Sequence, residues 1–115
     1  MLRPCYYRTS SGRCPVRDYI ESLDDDLRAR IKNALLSLCE EHPRVLTVSI
    51  KHLPRELWEV RVTGRNRSQH RILYAVAGER LLLLHAFTKK SQRTPQREIE
   101  TAARRLSDLR RWGDS

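Results

Sequence analysis

Three short apolar runs occupy the second half of the chain, and each is bounded by glycine, asparagine or charged residues. They are residues 57–62, residues 70–76 and residues 81–87. Short apolar runs separated by turn-forming or charged residues are typical of hairpin-connected strands. The third run has apolar residues on both of its faces, as expected of a central strand. The runs predict an antiparallel meander.

Basic side chains are placed at regular points in this meander. Strict alternation in the first run predicts two unlike strand faces. One face receives Trp58, Val60 and Val62, and the other receives Leu57, Glu59 and Arg61. Further basic residues follow in the second run and directly after the third: Arg71, Lys89 and Lys90. The predicted sheet therefore carries cations where a buried core does not need them.

Helical spacing of apolar residues predicts two helices before the meander and one after it. Pro15 suits the first turn of the first helix, because its missing N–H has no partner there anyway. Residues 24–26 are three aspartates that cap the second helix, which Pro43 ends. We interpret them as caps and not as a metal cluster, because consecutive helical residues point in different directions. Thr94 is predicted to cap the last helix, which continues to about residue 112.

The order of elements predicts an α+β fold in a single domain, residues 1–115. Residues 2–9 are expected to add an edge strand, and β-branched residues permit another strand within residues 44–54. We expect a small twisted antiparallel sheet with the N-terminal helix pair and the C-terminal helix packed on one face. The other face is expected to be free. The predicted single core contains Ile31, Leu35, Trp58, Val60, Leu82, Leu84, Ala103 and Leu106.

The net charge of +9 is concentrated in the sheet region. Of 23 basic and 14 acidic residues in the chain, 11 basic and only 3 acidic residues fall between positions 51 and 97. A localised positive field attracts polyanions, and nucleic acid is the usual polyanion for a protein with a sequence pI near 10.2. An acidic membrane is the alternative, but the chain has no spanning segment and no basic amphipathic helix. We therefore expect a nucleic-acid partner and no membrane.

Cysteine usage and the N-terminus limit the remaining classes. The chain has 3 cysteines, an odd number, without the spacing of a disulfide framework or a zinc site. Cys39 lies on an apolar helical stripe and is expected to be a small buried side chain. The first residues lack the pattern of a secretion signal. We expect a cytoplasmic protein with no metal and no cofactor.

The segments LWEVR, HRILYAV and LLLLHAFTKK, followed by TP and an amphipathic helix, resemble the RelE superfamily of bacterial toxins. Within it, the order is most similar to the phage-derived HigB-like branch of type II toxin–antitoxin systems. The resemblance implies a RelE-like fold and an mRNA endoribonuclease that cuts ribosome-bound messenger RNA and so inhibits translation. It also implies inhibition by a helix-turn-helix antitoxin encoded by a neighbouring gene.

Metal-free RNA cleavage requires a proton acceptor, a proton donor and positive charge near the phosphorane. Arg61 and Arg71 suit the last role, because a guanidinium donates to two phosphate oxygens at once. The resemblance places arginines at these positions on the active surface. The structural alternative for Arg61 is an ion pair with Glu59.

Three further residues are candidates for the catalytic set. Lys89 and Lys90 could stabilise phosphate charge or move a proton, or else protect a strand end from aggregation. His85 titrates near neutral pH, but it shares a predicted strand face with Leu83 and Phe87 and could equally be a core histidine. The choice of base and acid stays open at this point.

Four other residues are expected to bind RNA around this site: Lys51, His52, Arg65 and Arg67. His52 is also an alternative acid or base. Two other functions fit the same residues. ParE-like relatives share the fold but inhibit DNA gyrase, and a non-catalytic RNA-binding protein needs the same positive field. Single-strand binders usually add exposed stacking aromatics, of which the chain shows few.

Overall fold

The computed structural model describes residues 1–89 and 93–112. A short 3-10 turn, Arg65–Arg67, joins the first and second strands of the predicted meander. In chain order the elements are β1 (Arg3–Tyr6), α1 (Pro15–Glu21), α2 (Asp25–Glu41), β2 (Ser49–His52), β3 (Trp58–Thr63), β4 (Gln69–Ala77), β5 (Arg80–Lys89) and α3 (Gln96–Arg111). The predicted α+β class is confirmed.

The five strands form one mixed sheet in the order β1-β5-β4-β3-β2. Strands β2 to β5 are antiparallel neighbours, so the predicted meander is confirmed. Strand β1 lies at the edge as predicted, but it pairs with β5 in parallel. The sheet is therefore not purely antiparallel. A parallel partner is possible because two helices intervene between β1 and the meander, and such a crossover can return the chain in the same direction.

The helices cover both faces of the sheet, which corrects the expectation that all three share one face. Helices α1 and α2 pack on one face, and α3 packs on the opposite face. The cause is visible in β5, where Leu81 and Leu83 face α1 and α2 while Leu82 and Leu84 face α3. A strand that is apolar on both sides needs a cover on both sides.

Two apolar clusters consequently replace the single predicted core. The first joins α1 and α2 to the sheet and contains Ile31, Leu35 and Val60, with Trp58 packed against it. The second joins α3 to the sheet; of the predicted core it holds Leu82, Leu84 and Leu106, with Ala103 against it. Every predicted core residue thus belongs to a cluster, but the sheet separates the two groups.

The observed helix starts confirm two of the predicted ones and contradict the third. Asp24 caps α2, since its side chain accepts a hydrogen bond of 2.9 Å from the Leu27 N–H. Pro15 occupies the first turn of α1. The predicted capping role of Thr94 is wrong, because α3 begins after Pro95 and makes no side-chain cap. The Thr94 hydroxyl instead bonds to a buried carboxylate in the sheet.

A register shift between β4 and β5 sets which side chains face α3 at the end of the sheet. Leu73 pairs with His85, whereas the next residue, Tyr74, pairs with Leu83. The shift changes the phase of β5, so that His85 and Phe87 lie on the α3 side. Leu83 packs on the other side, which contradicts the predicted face shared by Leu83 and His85.

Among the helices of residues 1–89 and 93–112, none combines the length and the apolar run that crossing a bilayer requires.

Candidate functional site

Two arginines meet on the α3 side of the sheet. In the β3–β4 register Arg61 lies directly opposite Arg71, and directly paired residues point to the same face. Glu59 precedes Arg61 by two positions on β3 and therefore shares this face. Lys51 on β2 pairs with Glu59, and Lys89 on β5 pairs with Gln69 of β4. We call Lys51, Glu59, Arg61, Arg71 and Lys89 the cationic cluster.

Glu59 is the centre of the cluster and is fully buried. Its Oε1 accepts a hydrogen bond of 3.0 Å from Arg61 Nε and lies 3.6 Å from Arg71 Nε. Its Oε2 accepts a hydrogen bond from the Thr94 hydroxyl. A buried carboxylate is costly unless charge and hydrogen bonds compensate it, and here both oxygens have partners. The carboxylate therefore holds both guanidinium groups in place.

The two arginines differ in their access to solvent. The Arg61 side chain is 35% exposed, whereas the Arg71 side chain is 6% exposed. Arg71 Nη1 donates to the Gln69 side-chain oxygen at 3.2 Å and to the His70 carbonyl at 3.1 Å. Arg61 pairs with Glu59 through Nε, and a guanidinium carries four further N–H groups. The ion pair with Glu59, which was the structural alternative for Arg61, is present, and it orients an arginine that solvent can still reach.

Lys89 completes the cluster at the end of β5. Lys89 is only 7% exposed. Burial and then the charge of Arg71 lower the pKa of Lys89, with smaller effects of Arg61 and Lys51, and Glu59 acts against them. A lysine with a lowered pKa reaches its neutral form closer to physiological pH. Lys90 lies outside the described residues.

His85 is held by partners on both ring nitrogens. Its Nε2 is 2.7 Å from Glu98 Oε1, and its Nδ1 is 3.3 Å from Arg105 Nη1. An arginine only donates, so Nδ1 is the acceptor and Nε2 carries the hydrogen that Glu98 receives. Burial lowers the pKa of His85, although Glu98 opposes this effect. The arrangement favours the structural alternative for His85, which joins β5 to α3.

The four expected RNA-binding residues are divided between different parts of the surface. Lys51 belongs to the cationic cluster. Arg65 and Arg67 are exposed on the turn between β3 and β4, which follows the end of β3 that carries Arg61. His52 points to the other face, where its ring stacks on Trp58 at a centroid distance of 4.4 Å. The expectation that His52 lies with the arginines is therefore wrong.

The central role of Glu59 and the contacts of Thr94 and Gln69 were not predicted from the sequence. A signal for Glu59 was present, because it lies between the apolar Trp58 and Val60 and shares its strand face with Arg61, two positions further on. Thr94 gave no such signal, since a threonine before proline fits a helix cap equally well. Its bond to Glu59 joins residues that are 35 positions apart.

Within residues 1–89 and 93–112, no group of three or more His, Cys, Asp and Glu side chains is close enough to hold a metal ion. The chemistry of the cationic cluster is instead that of an anion site. Within this cluster, two guanidinium groups and two ammonium groups accompany the one buried carboxylate of Glu59. Positive charge therefore exceeds negative charge in this cluster, and the Arg61 side chain exposes part of it to solvent.

Comparison with known families supports a link to toxins. Residues 18–107 match the family described as Phage derived protein Gp49-like (DUF891). This protein belongs to that family. The family lies within the RelE/Gp49 toxin-like group and is consistent with toxin–antitoxin systems, so the resemblance to RelE-like toxins is confirmed at this level. A comparison with curated proteins finds no significant match.

The match of this Gp49-like chain runs from α1 to α3 and includes β2 to β5, so it contains the whole cationic cluster. A toxin-like family suggests an antitoxin as partner. The group is also associated with RelE-like toxins that are often endoribonucleases.

Proposed function

We propose that this Gp49-like protein is the toxin of a type II toxin–antitoxin system, in the HigB-like branch. In this proposal it acts in the cytoplasm as an mRNA endoribonuclease and cuts messenger RNA on the ribosome. A helix-turn-helix antitoxin encoded by a neighbouring gene silences it. The chain works as one domain, without a metal or cofactor. The observation that carries the proposal is the pair of arginines oriented by a buried glutamate next to a lysine of lowered pKa.

Arg61 contacts the scissile phosphate in this mechanism. Its guanidinium is accessible and is fixed through Nε by Glu59, so it needs little reorganisation as negative charge grows on the phosphorane. Arg71 is almost fully buried, so it supplies positive charge from inside the protein and helps to hold Glu59. Glu59 is a positioning residue, because both of its oxygens are engaged and it has no exposed surface.

Lys89 is the residue best suited to move the proton. In its neutral form the amine takes the proton of the RNA 2′-hydroxyl. The 2′-oxygen then forms a bond to phosphorus, the bond from phosphorus to the 5′-oxygen breaks, and the departing 5′-oxygen takes a proton from water. The products are a 2′,3′-cyclic phosphate and a 5′-hydroxyl end. Lys90 follows Lys89 in the sequence and is proposed to add charge for the phosphate.

The remaining basic residues are proposed to bind RNA around the cut. Lys51 extends the cationic cluster toward the edge strand β2, and Arg65 and Arg67 extend it along the turn after β3. His52 lies on the opposite face of the sheet and His85 joins β5 to α3, so neither is assigned to this RNA-binding surface. This surface fits a single strand of RNA that crosses the ends of β2, β3 and β4.

Expression of the protein alone in bacteria tests the proposal. We expect growth arrest and shortened messenger RNA, and we expect growth to recover when the adjacent small protein is co-expressed. The variant Arg61→Ala is the matched control and should leave messenger RNA intact. Arrest with intact messenger RNA and with gyrase trapped on DNA would replace the proposal by the ParE-like function. RNA binding without arrest would indicate a non-catalytic RNA-binding protein.

A further inference from the structure

The turn that carries Arg65 and Arg67 has an unusual backbone. Asn66 has φ 57° and ψ 26°, and Arg67 has φ 61°, so both are in the left-handed region. Left-handed backbone costs an arginine free energy and persists where surrounding contacts impose it. The contacts that impose it come from both faces of the sheet.

On the α1 side, hydrogen bonds close the turn through Ser68. The Ser68 hydroxyl donates to the Arg65 carbonyl at 3.1 Å, and the Gly64 N–H donates to the Ser68 carbonyl at 2.8 Å. His70 Nε2 lies 2.9 Å from the same Ser68 hydroxyl oxygen. Because the hydroxyl hydrogen is used by Arg65, the Ser68 oxygen accepts from His70, and Nε2 carries the imidazole hydrogen.

This tautomer fixes the direction of the bonds that follow. His70 Nδ1 is then an acceptor, and the Tyr19 hydroxyl donates to it at 2.7 Å. The Tyr19 oxygen accepts in turn from the Thr88 hydroxyl at 2.8 Å. His70 is only 5% exposed, and burial lowers its pKa, with a smaller lowering by Arg71 and an opposing effect of Asp24. A neutral imidazole therefore joins α1 and β5 to the turn.

On the α3 side, Gln69 joins the turn to the cationic cluster. Its Nε2 donates to the Arg67 carbonyl at 3.4 Å, and its Oε1 accepts from Arg71 Nη1 at 3.2 Å. The space inside the turn is small, since a Cβ built on Gly64 would lie 2.6 Å from the Ser68 hydroxyl oxygen. The turn is thus fixed from both faces, and its two arginines are held beside the strand that carries Arg61.

We propose that Tyr19 and His70 are positioning residues that hold Arg65 and Arg67 in the conformation that binds RNA phosphates. The inference rests on the proposed function, since it takes single-stranded RNA as the ligand. A turn that is ordered before binding loses less conformational freedom on binding, so it binds phosphates more tightly than a mobile turn. Tyr19 and His70 control RNA affinity in this way and take no part in the chemical step.

The test is a double-mutant cycle between Tyr19 and the two arginines of the turn. Tyr19→Phe removes the donor and keeps the ring. The probe is a short single-stranded RNA with 2′-O-methyl groups throughout, which lacks a free attacking hydroxyl, and binding is followed by fluorescence anisotropy. We expect Tyr19→Phe to weaken binding about threefold to tenfold, the effect of one buried hydrogen bond. In the Arg65→Ala/Arg67→Ala background it should cause no further loss.

Two more variants keep the test decisive if Tyr19→Phe unfolds. Ser68→Ala cuts the connection between His70 and the turn while it leaves the Tyr19–His70 bond intact, and it should weaken binding as Tyr19→Phe does. Tyr6→Phe is the matched control, because Tyr6 packs against the same apolar cluster as Tyr19 and stacks under Arg17. It should leave RNA affinity unchanged. Ribosome-bound cleavage should show a raised KM and an unchanged kcat for Tyr19→Phe and Ser68→Ala.

The outcomes separate this inference from the proposed function. Equal weakening by Tyr19→Phe in both backgrounds, or no weakening at all, would overturn the positioning role while cleavage by the wild-type protein stands. Coupling between Tyr19 and the arginines without any cleavage of natural RNA would keep the positioning role and remove the nuclease. Absence of RNA binding by the wild-type protein would overturn both.

Discussion

Arg61 is exposed to solvent, where it can contact RNA, and it is also paired with the buried carboxylate of Glu59. Replacing it by alanine therefore affects both cleavage and stability, and the two effects can be measured separately. Breaking a buried ion pair completely costs about 3 to 5 kcal/mol. Glu59 retains Arg71 Nε at 3.6 Å and the Thr94 hydroxyl after the substitution, so the loss is partial. We expect Arg61→Ala to lower the free energy of unfolding by about 1.5 to 3 kcal/mol, the range for a hydrogen bond to a charged group.

The expected effect on cleavage is larger than this loss of stability can explain. If Arg61 stabilises the phosphorane, its removal resembles removal of one oxyanion donor and should slow cleavage about 100-fold or more. Arg61→Lys keeps the charge but loses the planar pair of donors, so it should recover only part of the rate. The assays are cleavage of ribosome-bound messenger RNA and urea unfolding, performed on the same preparations.

The double variant Arg61→Ala/Glu59→Gln is the control that decides between the two roles. A neutral amide at position 59 does not need the charge of Arg61, but it also leaves the buried Arg71 guanidinium without its anion, so only part of the lost stability should return. Cleavage should stay low, because the arginine that contacts the phosphate is still missing. Recovery of cleavage together with stability would refute the assignment, since Arg61 would then serve only to hold Glu59.

Three further predictions concern the framework around the cluster. Ile31 and Ile99 lie in clusters on opposite faces of the sheet. Ile31→Val and Ile99→Val should each lower the free energy of unfolding in urea by about 0.5 to 1.5 kcal/mol, and the two losses should add in the double variant. Strong coupling would contradict two separate clusters. His85→Asn breaks bonds to two residues of α3, so the midpoint of thermal unfolding should fall while cleavage falls less than about tenfold; a loss comparable to that of Arg61→Ala would make His85 catalytic. Burial lowers the pKa of His42, His70 and His85 from the ordinary 6.5, so folding favours the neutral rings. Their contribution to stability is complete above pH 6.5 and is lost as the pH falls through the lowered pKa values, so the melting temperature should fall on acidification below pH 6.5. A melting temperature that rises there would contradict buried neutral histidines.

Much of the fold could be predicted because the local patterns are strong. Alternation along residues 57–62 gave the correct faces of β3, and helical spacing with the Asp24 cap gave α2. The opposite placement of α3 was also contained in the pattern, since a strand that is apolar on both faces requires two covers. The parallel pairing of β1 was not contained in it. Strand direction at a sheet edge depends on the path of the connection, and four residues of strand do not encode that path.

The candidate site was harder to predict, because its geometry depends on contacts between distant positions. The two arginines were identified from strand alternation and resemblance. The burial of Glu59 is compensated by a hydrogen bond from Thr94, 35 positions further along the chain, which local sequence does not show. The face of His85 depends on a register shift between β4 and β5. A shift of one residue reverses the side to which a side chain points, and no local residue pattern marks it here.

The most direct test of the central claim is the chemistry of the cut ends. Ribosomes programmed with a defined messenger RNA are incubated with the purified protein, and the fragments are compared with those of a messenger that has one 2′-deoxynucleotide at the cut position. The account predicts fragments that end in a 2′,3′-cyclic phosphate and begin with a 5′-hydroxyl, and it predicts that the deoxy substitution abolishes cleavage at that position. Fragments that begin with a 5′-phosphate, or unchanged cleavage of the deoxy-substituted messenger, would contradict attack by the 2′-hydroxyl at the Arg61 site.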